Sequence, residues 1–203
     1  MRRREFISLL GSAAATWPLA AHAQQPMPVI GYLDSRSIET VVDRLRGLRE
    51  GLKETGYVEG ENVTIEYRWA EDRMDRLPLL ATELVSRSVA ALVTGGPPPT
   101  FAAKAATSTI PIVFLVGSDP VKLELVASLS RPGGNLTGIN LFNSEIAAKR
   151  LELLRDLLPR ATRIAVLANP ADATLTDFQL KEVDAAAHAM GIQIKVYNAD
   201  TRA

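Results

Sequence analysis

Short unbroken apolar runs alternate along this chain with stretches whose apolar residues recur at helical spacing, which confines it to a small set of folds. Val29-Ile30-Gly31-Tyr32-Leu33 is followed, over about residues 38–55, by Val41, Leu45, Leu48 and Leu52 on one helical face. Gly56 then stops that helix as a C-terminal glycine does. Residues 63–69 alternate as a strand, Leu77, Leu80 and Leu84 mark a helix, and residues 90–94 read as a buried strand. After Gly95-Gly96 and three prolines, an Ala-rich helix is predicted near residues 100–107, then a strand over 112–116. Asp119-Pro120 reads as the start of another helix, with Asp as N-cap and Pro at the first helical position. Continuous Val, Ile and Leu runs predict strands buried on both faces, and hence a doubly wound parallel sheet covered by helices.

Arg131-Pro132-Gly133-Gly134-Asn135 interrupts the pattern and reads as a crossover into a second lobe. That lobe is predicted to take a strand over 136–140, a helix over about 144–158 and a strand over 164–167. A helix marked by Leu180, Val183, Ala187 and Met190 and a strand over 192–197 complete the list. The expected division is a first α/β lobe over residues 24–138 and the start of a second over 139–203. The second breaks off after few strands, so the sequence reads as truncated.

Residues 1–23 stand apart from this. Arg2-Arg3-Arg4 form a positive start, Leu9 to Ala20 a mildly apolar stretch, and Ala21-His22-Ala23 a cleavage site before Gln24. The stretch is short of the roughly 20 apolar residues that a membrane span needs. Arg3-Arg4-Glu5-Phe6-Ile7 resembles the twin-arginine export motif, with an ordinary secretory signal as the other reading. Both predict a periplasmic protein with a cleaved signal peptide. Cleavage leaves 180 residues with 20 basic and 22 acidic side chains. Near-neutral charge argues against nucleic acid, which needs a basic surface. The chain has no Cys, which rules out disulfides, thiolate metal sites and a lipidated N-terminal Cys.

The signatures of catalysis are missing. The first strand-to-helix turn reads Leu33-Asp34-Ser35-Arg36-Ser37, not Gly-x-Gly-x-x-Gly, and neither a P-loop nor a Gly-x-Ser-x-Gly elbow occurs. After cleavage one histidine remains, His188, flanked by alanines on a predicted helix and read as a surface residue. Glu50, Glu54, Glu83 and Glu152 sit among Arg and Lys on helices and read as solvated faces. The sequons at Asn62 and Asn135 are assigned no function. No cofactor is expected.

Ligands of open parallel sheets bind beyond the carboxyl ends of the strands. Three small-residue loops fall there: Asp34-Ser35-Arg36-Ser37, Gly95-Gly96-Pro97-Pro98-Pro99-Thr100 and Gly117-Ser118-Asp119-Pro120. Each residue also has a purely structural reading as a helix cap or turn former.

Taken together, several motifs resemble the ABC transporter substrate-binding protein family that includes tryptophan-binding members. They are Val29-Ile30-Gly31-Tyr32-Leu33, Gly95-Gly96-Pro97, the run from Gly117-Ser118-Asp119-Pro120-Val121 to Arg131-Pro132-Gly133-Gly134-Asn135-Leu136-Thr137-Gly138, Lys149-Arg150-Leu151-Glu152-Leu153-Leu154, and Val166-Leu167-Ala168-Asn169-Pro170. The resemblance implies a type I periplasmic-binding-protein-like fold, a doubly wound lobe plus an incomplete second α/β lobe. It implies a monomer that closes around a small polar or amino-acid-like solute and delivers it to an ABC permease with its ATPase. Carried onto this chain, it nominates Ser35, Gly96, Pro97, Ser118 and Asp119 from the first lobe and Asn169 from the second. Asp119 would meet an ammonium group and helix-start N–H groups a carboxylate. The aromatic residues that would stack on tryptophan are not evident in these loops. An exported enzyme on the same scaffold and a ligand-sensing domain are the competing readings. The first lacks a nominated base, and the second lacks a DNA-binding helix-turn-helix.

Overall fold

A computed structural model of the chain describes residues 27–142, 146–168, 170 and 173–199. The proposed signal peptide, its cleavage site and Asn169 lie outside the described residues.

Five strands form one sheet: β1 (Val29–Asp34), β2 (Thr64–Trp69), β3 (Ala91–Gly95), β4 (Ile112–Val116) and β5 (Leu136–Asn140). Their order is β2-β1-β3-β4-β5 and every pairing is parallel. After β2 the chain passes over β1 to build β3, so the strand order reverses between β1 and β3. Right-handed crossovers, the rule for such units, put the helices before and after that reversal on opposite faces. Helix α1 (Val42–Glu54) covers one face, while α2 (Leu77–Ser86) and α3 (Pro97–Ala106) cover the other.

Strand alternation divides the core accordingly. Ile30, Tyr32, Ile65, Tyr67 and Trp69 meet Val41, Leu45, Leu48 and Leu52 of α1 and its lead-in. Leu33, Leu92, Ile112, Phe114 and Val116 meet Leu77, Leu80, Ala81, Leu84 and Ala103. Each buried Leu or Ile contributes on the order of 1.5–3 kcal/mol. Gly56 ends α1 at φ 87°, and the Tyr57 N–H returns to the Leu52 carbonyl at 2.9 Å.

Four expectations are corrected. Helix α3 begins at Pro97, not near Thr100: first-turn N–H groups have no intrahelical partner, so three prolines there interrupt no hydrogen bond. Asp119-Pro120 opens a single turn, not a helix. Glu124 stands at φ 55°, and Leu123, Leu125 and Val126 turn into the core. The strand over 136–140 pairs with β4 as the edge of the first sheet, not within a second. The faces of β4 and β5 are unequally covered among the described residues, with Val113 and Ile139 exposed where burial on both sides was predicted.

The second sheet holds two parallel strands, β6 (Arg163–Ala168) and β7 (Gln193–Asn198), with α4 (Ala147–Leu157) and α5 (Ala173–Ala189). Leu151, Ala187 and Ile192 form its small core. No helix among the described residues is long and apolar enough to cross a membrane.

Candidate functional site

The carboxyl ends of β1, β3, β4 and β5 open onto a cavity of about 210 Å³. It straddles the β1–β3 reversal, where the two crossovers leave in opposite directions and part the loops. Ser35 and Arg36 line it after β1, Gly95 to Pro98 after β3, Leu115 and Gly117 around the end of β4, and Leu141 after β5. Arg44 of α1 and Gln179 of α5 complete the wall. The volume lies below the roughly 300–1,000 Å³ of drug-sized ligand sites and suits a small solute. A larger groove of about 520 Å³, lined in part by Lys104, Glu124 and Gly133, lies at the amino ends of β4 and β5. It is away from the reversal, so size alone does not pick the site.

Under the cavity sits Asp34, the last residue of β1 and fully buried. Its carboxylate accepts four hydrogen bonds: from Arg36 Nε at 2.9 Å, Arg36 Nη2 at 2.8 Å, the Arg36 backbone N–H at 3.0 Å and the Tyr32 hydroxyl at 3.2 Å. This fork is the bidentate geometry that fixes a guanidinium plane. Burial is the largest single influence and works against the Arg36 charge, but the hydrogen bond and charge of Asp34, with Tyr32 and Asp72 behind them, together outweigh it, and the guanidinium pKa is raised. Burial first, and then the Asp34 carboxylate, push the Tyr32 phenol well above its usual range. Gly95 leaves room for this pair, since a Cβ there would overlap the Asp34 carboxylate. Beside it, Glu71 and Asp72 take φ 55° and 59°, and the Asp72 N–H donates to the Ser35 carbonyl at 2.7 Å. Backbone held in this region gathers at functional sites.

The β3 loop is built differently. Gly96 stands at φ 105°, open to glycine alone, and its N–H donates to the Leu115 carbonyl at 2.9 Å. Pro97, Pro98 and Pro99 follow without an N–H, and the Thr100 N–H and hydroxyl both donate to the Gly96 carbonyl. The start of α3 therefore presents no backbone donor from these residues to a carboxylate, contrary to the expectation for helix-start N–H groups.

Of the nominated residues, Ser35, Gly96 and Pro97 meet around one cavity. Ser118 is fully buried and Asp119 half-buried on the loop that continues from Gly117, and neither lines the cavity. Asp119 Oδ1 accepts the Val121 N–H at 2.8 Å. Arg36, Arg44, Leu141 and Gln179 were missed. Arg36 stood inside a nominated loop, and the Asp-x-Arg spacing at a strand end was its available signal.

Asn140 is a further residue that the sequence reading does not single out. Its Oδ1 accepts the Phe142 N–H at 2.8 Å, while its Nδ2 is buried without an acceptor. A buried donor left unpaired costs about 1–3 kcal/mol. His188 is exposed and Glu152 pairs with Lys149 one turn away on its helix, as a solvated face requires, whereas Glu83 is half-buried and pairs across to Arg68 of β2. Asn62 and Asn135 tie loops through their side-chain amides. Among the described residues no group of three His, Cys, Asp or Glu side chains is placed to hold a metal.

A tyrosine-binding protein of Clostridioides difficile is 34% identical over 127 residues, 63% of this chain and 36% of that protein. A conserved domain protein of Vibrio cholerae superposes with a TM-score of 0.74 at 29% identity, covering 86% of this chain and 58% of the other. An ABC domain from Streptococcus pneumonia in complex with L-Trp gives a TM-score of 0.72 at 24% identity, with the same coverage. The fold is thus periplasmic-binding-protein-like, and the chain spans 36% of the curated relative's length and 58% of each structure's. Residues 29–202 match the family described as ABC transporter substrate binding protein, and the chain belongs to that family.

Proposed function

We propose that this substrate-binding protein is the periplasmic component of an ABC importer and captures a small polar or amino-acid-like solute between two lobes, over residues 24–138 and 139–203. The observation that carries the reading is the cavity at the β1–β3 reversal, where Ser35, Gly96 and Pro97 meet. Gln179 brings the second unit to the same cavity, as closure around a solute requires. Ser118, Asp119 and Asn169 would add contacts from the flanking loops. The relative named for tyrosine supports an amino-acid-like solute. Binding, not catalysis, is the role, with a permease and its ATPase as partners and residues 1–23 as the cleaved export signal.

Calorimetric titration of the full-length protein with L-tyrosine, L-tryptophan and small polar solutes tests this. Micromolar binding of one of them, weakened in a Gln179→Ala variant whose exposed side chain lines the cavity, is expected. No binding by any of them, with the protein folded, would sink the reading.

A further inference from the structure

Resting on that reading, the structure says what the solute must carry. The charged side chains lining the cavity are Arg36 and Arg44, and no Asp or Glu lines it among the described residues. Asp34 lies beneath, takes Arg36 Nε and Nη2, and leaves the remaining N–H groups of that five-donor fork without a described acceptor. Arg44 breaks a local rule. It stands in the first turn of α1, where the helix dipole disfavours a cation, and no described residue pairs with it. Its neighbours follow the rule, with Asp43 in the same turn bonded to Arg46 at 2.9 Å. Such a violation at a cavity wall marks function better than helix stability.

Two further features bear on how an anion would be held. The three prolines remove the backbone donors with which the start of α3 would meet an anion. One residue before the cavity-lining Leu141, Asn140 Nδ2 is a buried donor without an acceptor. An anion here would therefore meet side-chain donors, and no carboxylate lines the cavity among the described residues.

We propose that Arg36 and Arg44 form an anion clamp: the solute presents a carboxylate, and these two guanidinium groups bind it in place of a helix N-terminus. Asp34 is a positioning residue that holds the Arg36 fork in plane from below.

The test is calorimetry on the full-length protein at low ionic strength, with acids set against matched uncharged or cationic compounds. The probes are L-tyrosine and 3-(4-hydroxyphenyl)propionate against tyrosinamide and tyramine, and succinate against succinamide. At least one acid is expected to bind, about tenfold or more tighter than its matched compound, the scale of a charge-assisted hydrogen bond. Arg44→Gln should remove about that factor for the acid and leave the amide's affinity unchanged, and Arg44→Lys should restore most of it; Arg36→Gln should weaken the acid at least as much, with a lowered melting temperature because it strips buried Asp34 of its partner. Arg44 is exposed, so its variants report binding without a folding defect. An amide or amine that binds as tightly as its acid would overturn the clamp, as would an acid unaffected by both Gln variants. Either outcome leaves solute binding itself standing. Failure of every probe to bind would overturn both.

Discussion

Tyr32 shows how single residues tie the core to the site. Its ring packs against Tyr67 and Trp69, with centroids 5.8 and 5.3 Å away, while its hydroxyl reaches Asp34 under the cavity. Tyr67 in turn donates to Glu59 and accepts from Arg49. Burial first, and then Glu59, push the Tyr67 phenol from 10.0 up to about 12, and Tyr32 rises further. The folded state therefore favours both protonated phenols. The sign follows: this stability is fully present below about pH 10, where the unfolded phenols titrate, and is lost as pH rises through the folded values. Urea melts from pH 9 to pH 12 should show falling stability, with a shallower fall in Tyr67→Phe. Absorbance titration should show two of the four tyrosines ionising late. Simultaneous ionisation of all four near pH 10 would refute it.

Elements were legible where local sequence and tertiary need agree. The runs predicted for β4 and β5 coincide with the strands, and Val41, Leu45, Leu48 and Leu52 form the buried face of α1 and its lead-in, because burial imposed their period. The three prolines hid a helix start, since proline reads as a breaker unless its position in the first turn is known. Strand partners were not legible at all. Leu136–Asn140 looks the same whether it pairs with β4 or with a later strand, and only the geometry of the intervening loop decides. The site was legible as loops but not as a charge pattern, because Arg44 reads as one more solvated cation until α1 is docked. Asp119 is the case where both readings met. Its side chain holds the turn after β4 through the Val121 N–H, so Asp119→Ala should cost about 1 kcal/mol, and Asp119→Asn less. Thermal melts of both variants check this. Unchanged stability in Asp119→Ala would mean that the turn is held by its backbone bonds, from Leu123 N–H to the Asp119 carbonyl and Leu125 N–H to the Pro120 carbonyl.

At the scale of the molecule the two sheets are unequal. Among the described residues, the first has helices on both faces and two extensive core clusters, whereas the second has two strands over a core of Leu151, Ala187 and Ile192. Each strand of a two-stranded sheet has an unpaired edge, and such a pair lasts only when helices cover it. Leu167, Val196 and Tyr197 remain exposed on it. One tie to the first sheet's loops is the Lys122–Glu182 ion pair at 3.5 Å, between partly exposed side chains and worth about 0–1 kcal/mol. Opening β6 and β7 therefore forfeits little of what holds β1, β3 and β4 together, and the two parts should open separately. Native-state hydrogen exchange measures this directly. Amides of β1, β3 and β4 should exchange only with global unfolding, and those of β6 and β7 orders of magnitude faster. Lys122→Ala should leave the difference intact, since the ion pair is too weak to couple the parts. Equal protection of Val93 in β3 and Val166 in β6 across a range of urea concentrations would mean that the two sheets unfold as one unit.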